Sequence, residues 1–247
     1  MSEARRYDAI GRSYVGTRGE DPRIAAGIWD ALGDAASVLN VGGGTGNYEP
    51  RDGRRVVAVE PSPVMRAQRR AGSAPVIDGR AEALPFGDGA FDAAMAVFSD
   101  HHWADRAAGL RELRRVARRV VVLNWNPASR RAFWFTRDYL PGLGFTGDDA
   151  WGAASAALGA REERVVPIPA DCRDGFLLAY WRRPEAYLDP VVRANISVFA
   201  LMDDAEEAAF VARLRADLES GAWAERNADI VGLDALDVGC RILVAVP

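Results

Sequence analysis

A chain of 247 residues with 49% apolar content is long enough to bury a full α/β core. Its net charge of −4 argues against general nucleic-acid binding and makes a small molecule the expected partner, with the chain as monomer or homodimer. Two distant cysteines, Cys172 and Cys240, exclude a disulfide framework and a zinc cluster and suit a reducing compartment.

The opening segment "MSEARRYDAIGRSY" is charged and has no apolar stretch of the signal-peptide kind. No run reaches the ~18 apolar residues of a membrane span, so no membrane partner and a cytoplasmic location are expected. Ile24, Ile28 and Leu32 recur at helical spacing behind Pro22. "SVLNV" from Ser37 then reads as a buried strand, followed by "RVVAVE" from Arg55, "PVID" from Pro75, "FDAAMAVFS" from Phe91 and "RVVVLNW" from Arg119. Helical patterns at Pro63–Arg70 and Ala107–Arg118 separate them. Strands alternating with helices predict a mostly parallel sheet covered on both faces. Beyond Trp125–Pro127 the alternation stops. Strand signals reduce to "ERVVPIP" and the terminal "CRILVAVP", around a helical stretch rich in aromatics. The predicted organisation is a ligand-binding core over 1–126, with 127–247 adding cap helices and the last two strands of one integrated domain.

The turn after "SVLNV" carries Gly42, Gly44 and Gly46. A dinucleotide fingerprint needs glycine at position 47, where Asn47 stands, and a P-loop needs lysine, which the chain lacks altogether. What remains is a turn that lets backbone approach a ligand closely. The second strand runs into Glu60, and an acid at that tip is where doubly wound folds grip a ribose diol. A nucleoside bound without its phosphates satisfies both features.

The set "VLNVGGGTGNYE", "VVAVEPSPVM", "GRAEALPFGDGAFDAAMAVFSDHHWAD" and "LRELRRVARRVVVLNW" resembles class I methyltransferases that use S-adenosyl-L-methionine, in particular the type-11 methyltransferase domain. The resemblance covers about Tyr7 to Asn126. The stretch "DGFLLAYWRRPEAYLDP" is similar to uncharacterised bacterial small-molecule methyltransferases. The resemblance implies a Rossmann-like, doubly wound α/β fold: a mostly parallel seven-stranded sheet with an antiparallel edge strand and a helical cap. It implies that Gly42 and Gly44 line the methionine part of the cofactor, and that Glu60 binds the ribose hydroxyls with Pro61 and Met65 beside the adenine. Ala81 would set a backbone N–H against the adenine edge, Phe98 and Ser99 would sit near the sulfonium, and Tyr14 would close over the amino-acid end. Two positions depart from the family pattern. Asn40 stands where an acid is usual, and Arg80 stands where an Asp commonly reads the adenine amino group, which arginine cannot do as an acceptor.

Methyl transfer is an in-line displacement that needs the acceptor held close and aligned, and a base when the acceptor carries a proton. His101 and His102 follow the fourth strand, at the edge where open α/β sheets bind ligands. They fit either that base or a packed helix cap; Asp100 is a weaker candidate, and Asp105 reads as a helix start. Arg111, Arg114, Arg115, Arg118 and Arg119 read as one solvated helical side. The aromatics from Phe133 to Phe145, with Trp151 and Trp181, fit a hydrophobic pocket wall or plain core. Arg130, Arg131 and Arg137 nearby offer a carboxylate site. The expected function is methyl transfer to a small, hydrophobic or aromatic metabolite. The alternatives are a cofactor-bound enzyme that cyclises or decarboxylates instead, or a binding module on the same scaffold.

Overall fold

The apolar runs of the first half form strands because each is short, rich in Val and Ala, and closed by glycine, proline or a polar turn. The computed structural model describes residues 18–126, 128–129, 133–140 and 150–246. Strands β1 (Ser37–Val41), β2 (Arg55–Val59), β3 (Val76–Ile77), β4 (Phe91–Val97) and β5 (Ala117–Trp125) pair in parallel. Two later strands, β6 (Glu162–Val165) and β9 (Cys240–Ala245), complete a seven-stranded sheet of order β3-β2-β1-β4-β5-β9-β6. The antiparallel strand is β9, which lies between β5 and β6 and runs opposite to both. A separate ribbon joins β7 (Ile168–Pro169) and β8 (Ala235–Leu236).

Among the described residues the α-helices are α1 (Pro22–Ala31), α2 (Pro63–Ala67), α3 (Arg106–Val116), α4 (Ala150–Leu158), α5 (Pro190–Ala194), α6 (Asp204–Glu219) and α7 (Ala222–Arg226). Helix α1 starts at Asp21, whose buried side chain accepts the Arg23 N–H, and puts Ile24 and Ile28 into one core. Helix α3 starts at Asp105, whose side chain accepts the Ala108 N–H, and puts Leu110, Leu113 and Val116 into the core on the other face of the sheet. Both faces are therefore covered, which is why β1 is buried along its whole length.

Two sequence expectations fail at element boundaries. The helical pattern over Ala107–Arg118 ends at Val116, and Ala117 to Arg119 belong to β5. The sheet register wins there, because Ala117 pairs with Phe91 and Arg119 with Ala93. The arginines therefore do not form one helical side: Arg115 binds Glu112, Asp88 and the Leu84 and Phe86 carbonyls, while Arg119 donates to the Ala31 carbonyl. Helix α2 stops at Ala67 rather than Arg70. Arg69 instead turns back to the Gly44 carbonyl, Glu49 and the Ala74 carbonyl.

Candidate functional site

β1 ends at Val41 and the chain turns sharply, with φ of +69° at Gly42 and +48° at Gly44. A side chain at Gly42 would place its Cβ 2.5 Å from the Ser99 Cβ, so only glycine fits between the first turn and the end of β4. The N–H groups of Gly42 and Gly43 both donate to the Val59 carbonyl, at 2.8 and 3.1 Å, which ties the turn to the end of β2. The next residue is Glu60. Its two carboxylate oxygens accept the Gly44 and Ser62 N–H groups, each at 2.9 Å. Burial pushes this carboxyl above its ordinary range, and the two N–H bonds oppose that shift.

These groups open on a cavity of about 300 Å³, at the small end of ligand pockets. Asn40, Gly42 and Gly44 line it from the β1 side; Glu60, Pro61 and Met65 from the β2 side. Arg80 and Ala81 close it from the loop after β3, and Phe98, Ser99 and His102 from the end of β4. His101 is exposed and is not part of the lining. Tyr14, Arg130 and Arg131 lie outside the described residues. Gly46 is not in the lining either; its φ of +90° serves packing, since a Cβ there would meet the Ser73 hydroxyl at 2.6 Å.

Asn40 owes its identity to a neighbour that sequence reading passed over. Its amide donates to Glu49 at 3.2 Å, and Glu49 is also held by Arg69 at 2.5 Å and by the Ala74 N–H at 2.9 Å. An acid at position 40 would set two buried carboxylates at hydrogen-bond distance, so asparagine supplies the donor instead. Arg80 is largely exposed beside the cavity.

Two cavity residues have a conformation that their motifs did not announce. Tyr48 has φ of +66° and Phe98 of +51°, conformations that cost about 1–3 kcal/mol each and collect at functional sites. Phe98 is stacked on Trp125 at 4.5 Å and tilted against Phe176 at 5.2 Å, which holds its ring in place. The Tyr48 hydroxyl donates to buried Asp174 at 2.8 Å, and Arg18 pairs with the same carboxylate at 2.5 Å. Burial, then the Asp174 charge, push the Tyr48 hydroxyl well above its ordinary range. It therefore stays protonated and acts as a donor. Asn124, a polar residue between Leu123 and Trp125 in "RVVVLNW", was the available signal for another group, described below.

The described aromatics after β5 do not wall this cavity, and Phe145 lies outside the described residues. Phe133, Trp134, Phe135, Tyr139, Trp151 and Trp181 are all buried, and none is in its lining. Trp134 and Trp181 spend their indole N–H groups on the carbonyls of Trp181 and Ile168. Asp100 is also occupied: it is fully buried, paired with Arg106 at 2.5 Å and bound by Asn124.

A methyltransferase-domain family model matches residues 39–123. The solved structure of a protein described as a methyltransferase of an antibiotic biosynthesis pathway of Anabaena variabilis is 30% identical. It superposes with a TM-score of 0.81, covering 94% of this chain and 99% of its own. The demethylmenaquinone methyltransferase of Mycolicibacterium vanbaalenii is 35% identical over 106 residues, 42% of this chain and 43% of the relative. The chain thus spans about half the length of that curated relative. The [4+2]-cyclase SpnF, 17% identical with a TM-score of 0.56 over 99% of this chain and 96% of its own, shares the fold alone. With the cavity over the glycine turn and near full-length likeness to a methyltransferase, this chain belongs to the class I S-adenosylmethionine-dependent methyltransferase family.

Proposed function

We propose that the chain transfers a methyl group from S-adenosyl-L-methionine to a small, hydrophobic or aromatic metabolite. The observation that carries the reading is Glu60. Each carboxylate oxygen has two acceptor positions, and one on each is taken by a backbone N–H. One position per oxygen is left for a pair of hydroxyls, which is what a ribose diol offers. The residues present fit the cofactor: Gly42 lets the turn close against Ser99 at the cavity wall, and the cavity continues from Glu60 past Met65 and Ala81.

When bound, the sulfonium supplies a methyl carbon already activated for displacement. Glu60 would hold the ribose, with Pro61 and Met65 flanking the base and Ala81 at its edge. Gly42, Gly44 and Asn40 would border the amino-acid part, and Phe98 and Ser99 the reacting end. The Phe98 ring, backed by Trp125 and Phe176, gives that end an apolar wall, which favours an aromatic or hydrophobic acceptor. His102 lines the same end and is placed to take a proton from an O–H or N–H acceptor. The relative named for demethylmenaquinone supports a small-molecule acceptor.

Calorimetric titration tests the reading. Both S-adenosylmethionine and S-adenosylhomocysteine should bind the wild type and be lost from Glu60→Ala. Absence of heat with either ligand overturns it. Turnover of an acceptor with no S-adenosylhomocysteine formed would instead support cyclisation or decarboxylation on this scaffold.

A further inference from the structure

The two adjacent histidines are not equivalent, and the difference originates in β5. Asn124 is buried at the end of an otherwise apolar run. Its Oδ1 accepts the Trp125 backbone N–H at 2.8 Å. A backbone N–H only donates, so the atom facing it is the amide oxygen and the orientation of the amide is fixed by chemistry. Its Nδ2 then carries two hydrogens on the opposite side. One goes to Asp100 Oδ1, and the other meets His101 Nδ1 at 3.1 Å.

Asp100 cannot turn away to relieve this arrangement. It is fully buried, and its Oδ2 accepts two N–H groups of Arg106, at 2.8 and 2.5 Å. Oδ1 is thereby directed at Asn124. Burial pushes the Asp100 carboxyl up, while Arg106 and Asn124 oppose that shift; with Oδ2 taken by two Arg106 N–H groups, Oδ1 is the atom that accepts from Asn124. Every link of the chain Arg106–Asp100–Asn124–His101 therefore has its donor direction set. At its end, His101 Nδ1 faces an N–H and must present a lone pair.

We propose that Asn124 is a positioning residue that fixes His101 as the neutral tautomer with its proton on Nε2. His101 is then a hydrogen-bond donor at the carboxyl edge of β4 and β5, and not a base through Nδ1. Such a donor suits a ligand with a carbonyl or anionic oxygen, leaving proton removal to His102. The assignment of these roles toward an acceptor rests on the methyl-transfer reading; the tautomer does not.

The test uses the full chain without ligand, labelled with 15N and held at a pH where imidazole is neutral. The chain has only two histidines, so two sets of ring correlations appear, and His102→Gln assigns them. Long-range 1H–15N spectra should show His101 with an unprotonated Nδ1 and a protonated Nε2. In Asn124→Asp the new carboxyl and Asp100 share one proton between them, so His101 Nδ1 meets an acceptor and its proton should move to Nδ1. A protonated Nδ1 in the wild type, or a His101 pattern unmoved by Asn124→Asp, overturns the proposal. If Asn124→Asp does not fold, the wild type decides alone. A coupling across the hydrogen bond between Asn124 Nδ2 and His101 Nδ1 is expected, and its absence overturns the proposal. Because no cofactor or acceptor enters these spectra, failure here and failure of methyl transfer are separate results.

Discussion

The turn Gly42–Tyr48 and the aromatic segment Phe133–Tyr139 both follow strands of one sheet at its carboxyl edge, yet one walls a cavity and the other fills a core. The turn contributes little side-chain volume, and its positive φ values fold the backbone onto Val59 and Glu60 without filling the space above them. The aromatic segment does the reverse. Trp134 meets Trp223 at 5.3 Å, and Phe135 meets Tyr187 at 4.7 Å and Phe210 at 5.1 Å, so each ring already has aromatic neighbours on several sides. Residue size at a sheet edge therefore does not mark a pocket. What marks one is backbone left uncovered by side chains, and two of the rings that border it, Tyr48 and Phe98, sit at positive φ.

The strongest way to break this contrast is Phe135→Ala. The side chain is fully buried, so truncation should cost about 3–5 kcal/mol, read as a fall in the denaturant midpoint. Affinity of the folded protein for S-adenosylhomocysteine should change by less than roughly twofold, which is near 0.4 kcal/mol. A tenfold change would make the segment a ligand wall after all. Gly42→Ala probes the other region. A Cβ 2.5 Å from Ser99, at φ of +69°, should destabilise the protein by about 2 kcal/mol or more and weaken cofactor binding at least tenfold. Adding Ser99→Gly should relieve the clash and leave the backbone strain, about 1 kcal/mol, together with the loss of the Ser99 hydroxyl bond to the Val41 carbonyl, about 1 kcal/mol.

Glu60→Gln sharpens the contrast by changing charge without volume. Losing two charge-assisted bonds to hydroxyls should weaken binding by about 2 kcal/mol, roughly thirtyfold. Its pH dependence follows from the raised carboxyl. The charged form accepts from both hydroxyls, so wild-type affinity is full at high pH. It falls as pH drops through the raised value, beginning above the ordinary glutamate range near 4.3. Glu60→Gln should show no such fall; a shared fall would place the titrating group elsewhere. The smallest effect is expected far from both regions. Asp203 caps α6 in a reciprocal pair with Glu206, and Asp203→Ala should cost about 1 kcal/mol with binding unchanged. A binding change there would show that the cap helices couple to the cavity.

Much of this was legible from local chemistry. Short apolar strands with glycine and an acid at their tips pointed to the sheet and to a cavity at its edge; the family resemblance supplied the other expected cofactor positions, and ten of the eleven line that cavity. The eleventh, Tyr14, lies outside the described residues. Helix ends were less legible: nothing within "RRVARR" says that Ala117 will pair with Phe91, because that pairing is made by a strand more than twenty residues away. Asn40 shows the same limit, since its donor role depends on Glu49 and Arg69 meeting it from other segments.

By itself the sequence determined the alternation of elements, the absence of a phosphate loop and the acid at the end of β2. These are properties of single residues and short spacings, carried by backbone preference and apolar period. Only the tertiary structure decided which aromatics are core and which border the cavity, that β9 enters between β5 and β6, and that His101 and His102 differ. Each of those depends on contacts between distant segments; at the last, burial requires Asp100 and Asn124 to satisfy each other, and that leaves one Asn124 hydrogen for His101.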